Sequence, residues 1–356
     1  MSRQETRQVT DFYDNRRVLV LGGLGFIGSN LTLKLVDCGA HVTVVDSLAP
    51  GLGANWFNVQ PVRNRIRVVV SDLRDADRLT ALVRSQDVIF SLAGRVSHIA
   101  SMRDPLIDQD INCRSQLSLL ESCRQHNPAA RIVFASTRQL YGRPRYLPVD
   151  ERHPIAPVDV NGVSKRAAEM FFTLYHKVHG LHTVSLRLTN TYGPRMNLCG
   201  FGQGFMNVFL NRALTNSRID IFGTGLQRRD FNYVDDVVDA FLLAGQDDRL
   251  DGRIFNLGHA DHASLLEVVR LLQRHADVDF RCVPFPADYA AIDVGDYYGD
   301  FSRFHEATGW QPKCDLAQGI AATWRFFDQH REWYLESEHD SGVRSVQRIP
   351  AASTRD

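Results

Sequence analysis

Near the start of this chain a short apolar strand runs straight into a glycine turn, and that junction limits the fold more than any other feature. Arg17–Leu21 is followed by Gly22-Gly23-Leu24-Gly25-Phe26-Ile27-Gly28, and a helical stretch continues to Cys38. Glycines at 22, 25 and 28 allow a tight turn whose backbone N–H groups gather at a helix N-terminus. A strand that passes at once into a helix does not meet its next strand through a hairpin. It needs a crossover, and crossovers build parallel sheets.

The chain continues in that manner. His41–Asp46, Arg67–Ser71, Asp87–Leu92, Arg131–Ser136 and Thr183–Leu188 read as further buried strands. Ile27–Cys38, Asp75–Arg84, Asp110–Gln125 and the longer Val160–His179 read as the helices between them. The alternation predicts an α/β fold, a Rossmann-type doubly wound parallel sheet over residues 16–190. After Tyr192 the pattern breaks up, with Gly193, Pro194, Gly200, Gly202 and Gly204 close together. Residues 191–335 are expected to form mainly a smaller C-terminal substrate lobe, with segments returning to the sheet. Residues 1–15 read as a polar N-terminal extension and 336–356 as a mobile tail.

Charge and cysteine usage exclude several classes. Lys plus Arg and Asp plus Glu number 41 each, so no net field draws nucleic acid or an anionic membrane. No apolar run is long enough to span a bilayer, and the polar first residues lack the apolar stretch of a signal peptide. The six cysteines are scattered, with no C-x-x-C pair or Cys/His cluster. No metal site is expected, and free thiols point to a cytoplasmic setting.

The glycine turn is placed to receive a pyrophosphate. The second strand ends in Asp46, a carboxylate suited to an adenosine ribose diol. It would repel a 2′-phosphate, so NAD is the expected cofactor rather than NADP. Taken with Arg187-Leu188-Thr189-Asn190-Thr191-Tyr192-Gly193-Pro194-Arg195 and Phe222-Gly223 through Arg229-Asp230-Phe231, the chain resembles the extended short-chain dehydrogenase/reductases, the NAD-dependent nucleotide-sugar epimerases and dehydratases. The resemblance runs from about Arg17 to Pro312. It implies that Gly22, Gly25, Phe26, Ile27 and Gly28 cradle NAD, with Asp46 on the ribose. It further implies adenine contacts from Asp72 and Leu73, a close turn at Leu92, Ala93 and Gly94, and a structural asparagine at Asn112.

The catalytic positions match only in part. Ser136-Thr137-Arg138-Gln139-Leu140-Tyr141-Gly142 resembles the family's serine/threonine motif, which makes Thr137 the residue that hydrogen-bonds the reacting sugar oxygen. The family's Tyr-x-x-x-Lys reads here Asn161-Gly162-Val163-Ser164-Lys165. Lys165 is expected to hold the nicotinamide ribose. Asn161 replaces the phenol, and a carboxamide has no useful titration. Three replacements stay open as proton carrier: Tyr141, His98, or a water held by Asn161 and Thr137. Family 4,6-dehydratases carry an Asp-Glu pair where this chain has Arg138-Gln139, which argues against that reaction. Arg138 either grips a substrate carboxylate or hydroxyl or faces solvent.

In the substrate lobe the resemblance assigns Asn190 to the sugar or diphosphate and Arg229 to the diphosphate. Asp296 is a candidate contact to the nucleotide or sugar. The arginine usually found two residues before Gly295 is Asp293 here. The leading expectation is an NAD-dependent epimerase of a nucleoside-diphosphate sugar, acting through a transient keto-sugar with a non-standard proton carrier. The alternatives are an atypical dehydratase or uronate decarboxylase, or a catalytically silent binding module. A homodimer through Asp110–Gln125 and Val160–His179 is expected from the resemblance.

Overall fold

The computed structural model describes residues 3–199 and 204–335. Its main sheet contains β1 (Arg17–Leu21), β2 (His41–Asp46), β3 (Arg67–Val70), β4 (Val88–Ser91), β5 (Arg131–Thr137) and β6 (His182–Leu188). The further strands are β7 (Asn190–Tyr192), β8 (Ile219–Phe222), β9 (Arg228–Tyr233), β10 (Ile254–Asn256), β11 (His262–Ser264) and β12 (Phe280–Val283). The sheet order is β10-β6-β5-β4-β1-β2-β3, and every pair is parallel. The chain moves one way from β1 to β3, then restarts at β4 on the other side of β1. That reversal opens a crevice at the C-terminal strand ends, where ligands of open α/β sheets bind.

The central strands are apolar on both faces because both are covered, whereas the edge strand β3 leaves Val70 exposed. Val18 and Val20 point into a core with Val44, Phe90 and Phe241, while Leu19 and Leu21 point into one with Ile89, Phe134 and Phe172. This is the two-residue period of a strand with no solvent face. β10 was not expected as a strand. It is only three residues long and joins the edge by pairing with β6 after the lobe has intervened.

The helices that matter here are α1 (Arg3–Tyr13), α2 (Phe26–Asp37), α3 (Ala76–Val83), α4 (His98–Arg103), α5 (Pro105–Gln109), α6 (Ser115–His126), α7 (Val160–His179), α8 (Phe205–Leu214) and α9 (Val234–Gln246). α5 and α6 are joined by one π-helical turn, Asp110–Arg114. α7 starts on the Asp159 cap, whose side chain accepts from Gly162 N, and ends on Gly180 in the left-handed region. Within the expected N-terminal extension, residues 3–13 are helical. Val9 and Tyr13 of α1 are buried, and the Tyr13 hydroxyl donates to Leu242 O of α9 at 2.8 Å.

The lobe has its own sheet, β11-β9-β7, a parallel β8–β12 pair and α8. Its separate core includes Phe209, Ile219, Ile221, Val268 and Phe327. The expected tail, 336–356, lies outside the described residues. Among the described residues no helix is long and apolar enough to cross a membrane. Nor does any group of three or more His, Cys, Asp or Glu there suit a metal ion.

Candidate active site

One long cleft runs across the crevice beside β1. Gly22, Gly25, Phe26, Ile27, Gly28, Asp46, Asp72, Leu73, Leu92, Ala93 and Gly94 all line it, and so do Thr137, Arg138, Asn161, Lys165, Asn190 and His98. The glycine turn has the shape a dinucleotide needs. Gly22 has φ +81°, and a Cβ on Gly28 would sit 2.2 Å from Gly22 O. Side chains there would push strand, turn and helix apart. Asp46 Oδ2 accepts from Leu24 N at 3.2 Å and Oδ1 from Leu48 N at 3.1 Å. Burial raises its carboxyl above the ordinary range, and these backbone donors oppose that rise. The turn cradle and the fixed carboxylate fit NAD.

A second group of residues fixes the floor beneath Lys165. Asn112, on the π turn, accepts from Arg95 N at 3.1 Å and donates to Arg95 O and to Asp108 Oδ2, both at 3.0 Å. Asn161 joins the same knot. Its Nδ2 donates to Arg95 O at 2.8 Å and lies 3.3 Å from Asp108 Oδ2, and its backbone N donates to Ser101 Oγ at 3.2 Å. The carboxamide therefore ties the end of α7 to the loop after β4. Lys165 sits one turn further along α7, on the same helical face. Its Nζ donates to Ala135 O at 3.0 Å and lies 4.9 Å from the Phe134 ring centroid. Burial lowers its amine to about 8, while the charge of Asp108 pulls the other way.

Thr137 ends β5, and its Oγ1 accepts from Gln139 N at 3.2 Å. A hydroxyl used only as an acceptor keeps its proton for a ligand oxygen. His98, the first residue of α4, lines the same cleft, and its Nδ1 is 3.0 Å from Asp159 Oδ2. That contact is short, but not aligned as a straight hydrogen bond. The Asp159 carboxylate is buried and also accepts from Gly162 N at 2.7 Å and Gln139 Nε2 at 2.9 Å. Burial pushes this carboxyl up, yet His98, Gly162 and Gln139 outweigh it and hold it below the ordinary range. Ser97 caps α4 through Ala100 N, and Ser101 Oγ donates to His98 O at 2.7 Å.

The structure does not bring every expected residue to the cleft. Tyr141 is fully buried on the far side of a short 3-10 turn, Arg138–Tyr141, where its hydroxyl donates to Asn256 Oδ1 at 2.7 Å and accepts from Arg187. Burial drives its phenol up to about 12, despite Arg187. Tyr141 therefore does not line the cleft, and its hydroxyl is engaged in the interior. Arg229 is buried too, donating to the carbonyls of Arg228 and Gly295, with Nη2 3.7 Å from Asp293 Oδ1. The unexpected Asp293 thus lies against Arg229. Asp296 Oδ1 accepts from Arg228 N at 2.8 Å. Neither Arg229 nor Asp296 lines the cleft. Asn190 does, with Nδ2 donating to Asp230 O at 2.9 Å.

Three participants were not foreseen. Asp159 had a local signal, an aspartate immediately before a helix, but its partner His98 lies 61 positions earlier. Gln139 had been read only as a missing glutamate. Asp108 had no signal, since nothing in a helix pattern marks a buried carboxylate.

The geometry agrees with comparisons to known proteins. Residues 18–258 match the family model described as the NAD dependent epimerase/dehydratase family. A Methanocaldococcus jannaschii protein, provisionally named a UDP-glucose 4-epimerase, is 34% identical over 306 residues, covering 85% of this chain and 95% of its own. The crystal structure of Thermotoga maritima UDP-glucose 4-epimerase with UDP-glucose superposes with TM-score 0.80 at 29% identity, over 88% of this chain and 99% of that one. Thermus thermophilus UDP-glucose 4-epimerase, solved as a complex with NAD, gives TM-score 0.78 at 30% identity, over 87% and 98%. The chain belongs to the NAD dependent epimerase/dehydratase family.

Proposed function

We propose that this protein epimerises a nucleoside-diphosphate sugar through a transient keto-sugar, with His98 as the proton carrier in place of the family's phenol. The observation that carries the proposal is the His98–Asp159 contact of 3.0 Å, in the cleft that Thr137 also lines. A buried carboxylate facing Nδ1 orients the ring and leaves Nε2 for the ligand. Asn161 does not compete for this role, because its amide donors are spent on Arg95 and Asp108.

Bound NAD supplies a hydride acceptor and, on return, a hydride donor. His98 removes the hydroxyl proton as the sugar carbonyl forms and gives it back as the alcohol is restored, so no atom is gained or lost. Thr137 donates its hydroxyl proton as a hydrogen bond to the same oxygen. Lys165 holds the nicotinamide ribose, and Asp46 the adenosine ribose.

The test is turnover of a panel of UDP-, dTDP- and CDP-sugars with added NAD, analysed by mass and stereochemistry. Products of unchanged mass are expected; loss of water or carbon dioxide would point to a lyase. Replacing His98 by Gln should lower kcat by about 10²- to 10⁴-fold, as for loss of a general base. Unchanged turnover in that variant sinks the assignment of His98 and favours the water held at Asn161 and Thr137.

We also propose a cytoplasmic homodimer. Val163, Met170, Leu174 and Val178 form an exposed apolar stripe on α7, and such a stripe favours burial against a partner. Sedimentation at micromolar concentration should show twice the chain mass.

A further inference from the structure

We infer that Arg138 makes this site selective for a sugar that carries a carboxylate beside the reacting carbon, a nucleoside-diphosphate uronate. The inference rests on the nucleotide-sugar reading above and narrows its substrate.

Arg138 is the first residue after Thr137 and lines the same cleft, so it faces a ligand next to the oxygen that Thr137 would hold. Most other interior arginines have an acceptor; Arg95, whose Nη1 is also unpartnered, still has Asp104 Oδ2 at 3.8 Å. Arg187 pairs with both oxygens of Glu169, Arg131 meets Asp251 at 2.7 Å, and Arg229 is closed onto carbonyls and Asp293. Arg138 has no carboxylate within 4.0 Å among the described residues. Its Nη2 reaches Asn190 Oδ1 only at 3.5 Å, and its Nη1 has neither an acceptor nor access to water.

The guanidinium is nonetheless held in place. Its carbon lies 4.7 Å from the ring centroid of Tyr297, which is itself buried. A planar cation fixed on an aromatic shelf, with Nη2 only weakly engaged at 3.5 Å, is arranged for an anion in the cleft, while Nη1 is closed off from it. Asp230 acts on Arg138 through its charge, but from beyond ion-pair distance, and one of its oxygens is taken by Gly299 N at 3.1 Å. It dilutes the positive field without supplying the missing hydrogen bonds.

The inference is tested by calorimetric titration of the NAD-loaded protein with UDP-glucuronate and UDP-glucose, for the native chain and for Arg138→Gln and Arg138→Lys. The native protein should bind UDP-glucuronate at least about tenfold more tightly than UDP-glucose, the scale of one charge-assisted hydrogen bond. In Arg138→Gln the ratio should fall to within about threefold. Arg138→Lys should restore part of it, because a point charge replaces the fork. Equal affinity of the native protein for the two sugars, including no binding of either, overturns the inference. So does a preference for UDP-glucuronate that survives Arg138→Gln. A failed proton-carrier assignment would appear in turnover of the His98 variant and leave this binding ratio intact.

Discussion

Replacing Gly94 by Ala should couple a small steric change to both stability and cofactor binding. A Cβ at this position would lie 2.6 Å from Asn112 Oδ1 and 3.0 Å from Lys165 Nζ. The lysine end is flexible, but Asn112 is fully buried and held by three hydrogen bonds of 3.0 to 3.1 Å. To clear the methyl, its oxygen must retreat by several tenths of an ångström and release Arg95 N. Overpacking of this kind costs about 1–3 kcal/mol, and a buried donor left without an acceptor costs about 1–3 kcal/mol more. We expect a total loss of about 2–6 kcal/mol, read from urea unfolding, and NAD affinity about tenfold lower because the displaced turn lines the cofactor cleft. A cycle with Asn112→Ala isolates the cause. In that background the methyl has room, so adding Gly94→Ala should cost less than half as much. A loss below about 0.5 kcal/mol with unchanged NAD binding, or strict additivity in the cycle, would refute the steric argument.

Two further outcomes follow from the same geometry. Tyr141→Phe should leave turnover within about threefold, since the phenol is sealed from the cleft, while lowering stability by about 1–3 kcal/mol through the unmet Arg187 and Asn256 groups; a large loss of kcat at native stability would return Tyr141 to the chemistry. For Lys165, whose folded value of about 8 lies below the ordinary lysine range, burial of the charge opposes folding at lower pH, and that opposition fades as pH rises above about 8. The charged amine that would grip the ribose is lost over the same interval, so NAD affinity should fall between about pH 7 and 9.5. A flat titration of Kd against pH would contradict this.

The parts of the molecule set by local pattern were legible in the sequence. β1, the glycine turn and α2 form one uninterrupted segment, and six buried strands announced themselves by apolar runs bounded by turns. β10 was missed because three residues carry no period and its partner β6 lies far back in the chain. The residues expected to hold the cofactor line one cleft, and that grouping was legible because they follow strand ends in chain order. Which candidate proton carrier faces the cleft was not. Tyr141 and His98 both follow strands, and only the direction of a single 3-10 turn and the reach of the Asp159 cap separate a sealed phenol from a cleft-facing imidazole. Arg229 illustrates the same point, since its motif was intact while an aspartate 64 positions later lies against it.

The knot around Asn161 bears on how this active site could be re-engineered. Its amide joins Arg95 O and Asp108, while its backbone N–H holds the Ser101 hydroxyl that also fastens α4. A phenol at 161 has one donor where the carboxamide has two, and its ring would need the volume that these groups now fill. Asn161→Tyr should therefore lower stability rather than restore the family's phenol chemistry. Directed evolution from this sequence toward a phenol would have to cross a valley, with changes at Asp108 or in α4 arriving first. The residue is an epistatic lock, and its partners, not its own chemistry, set the order in which the site can change.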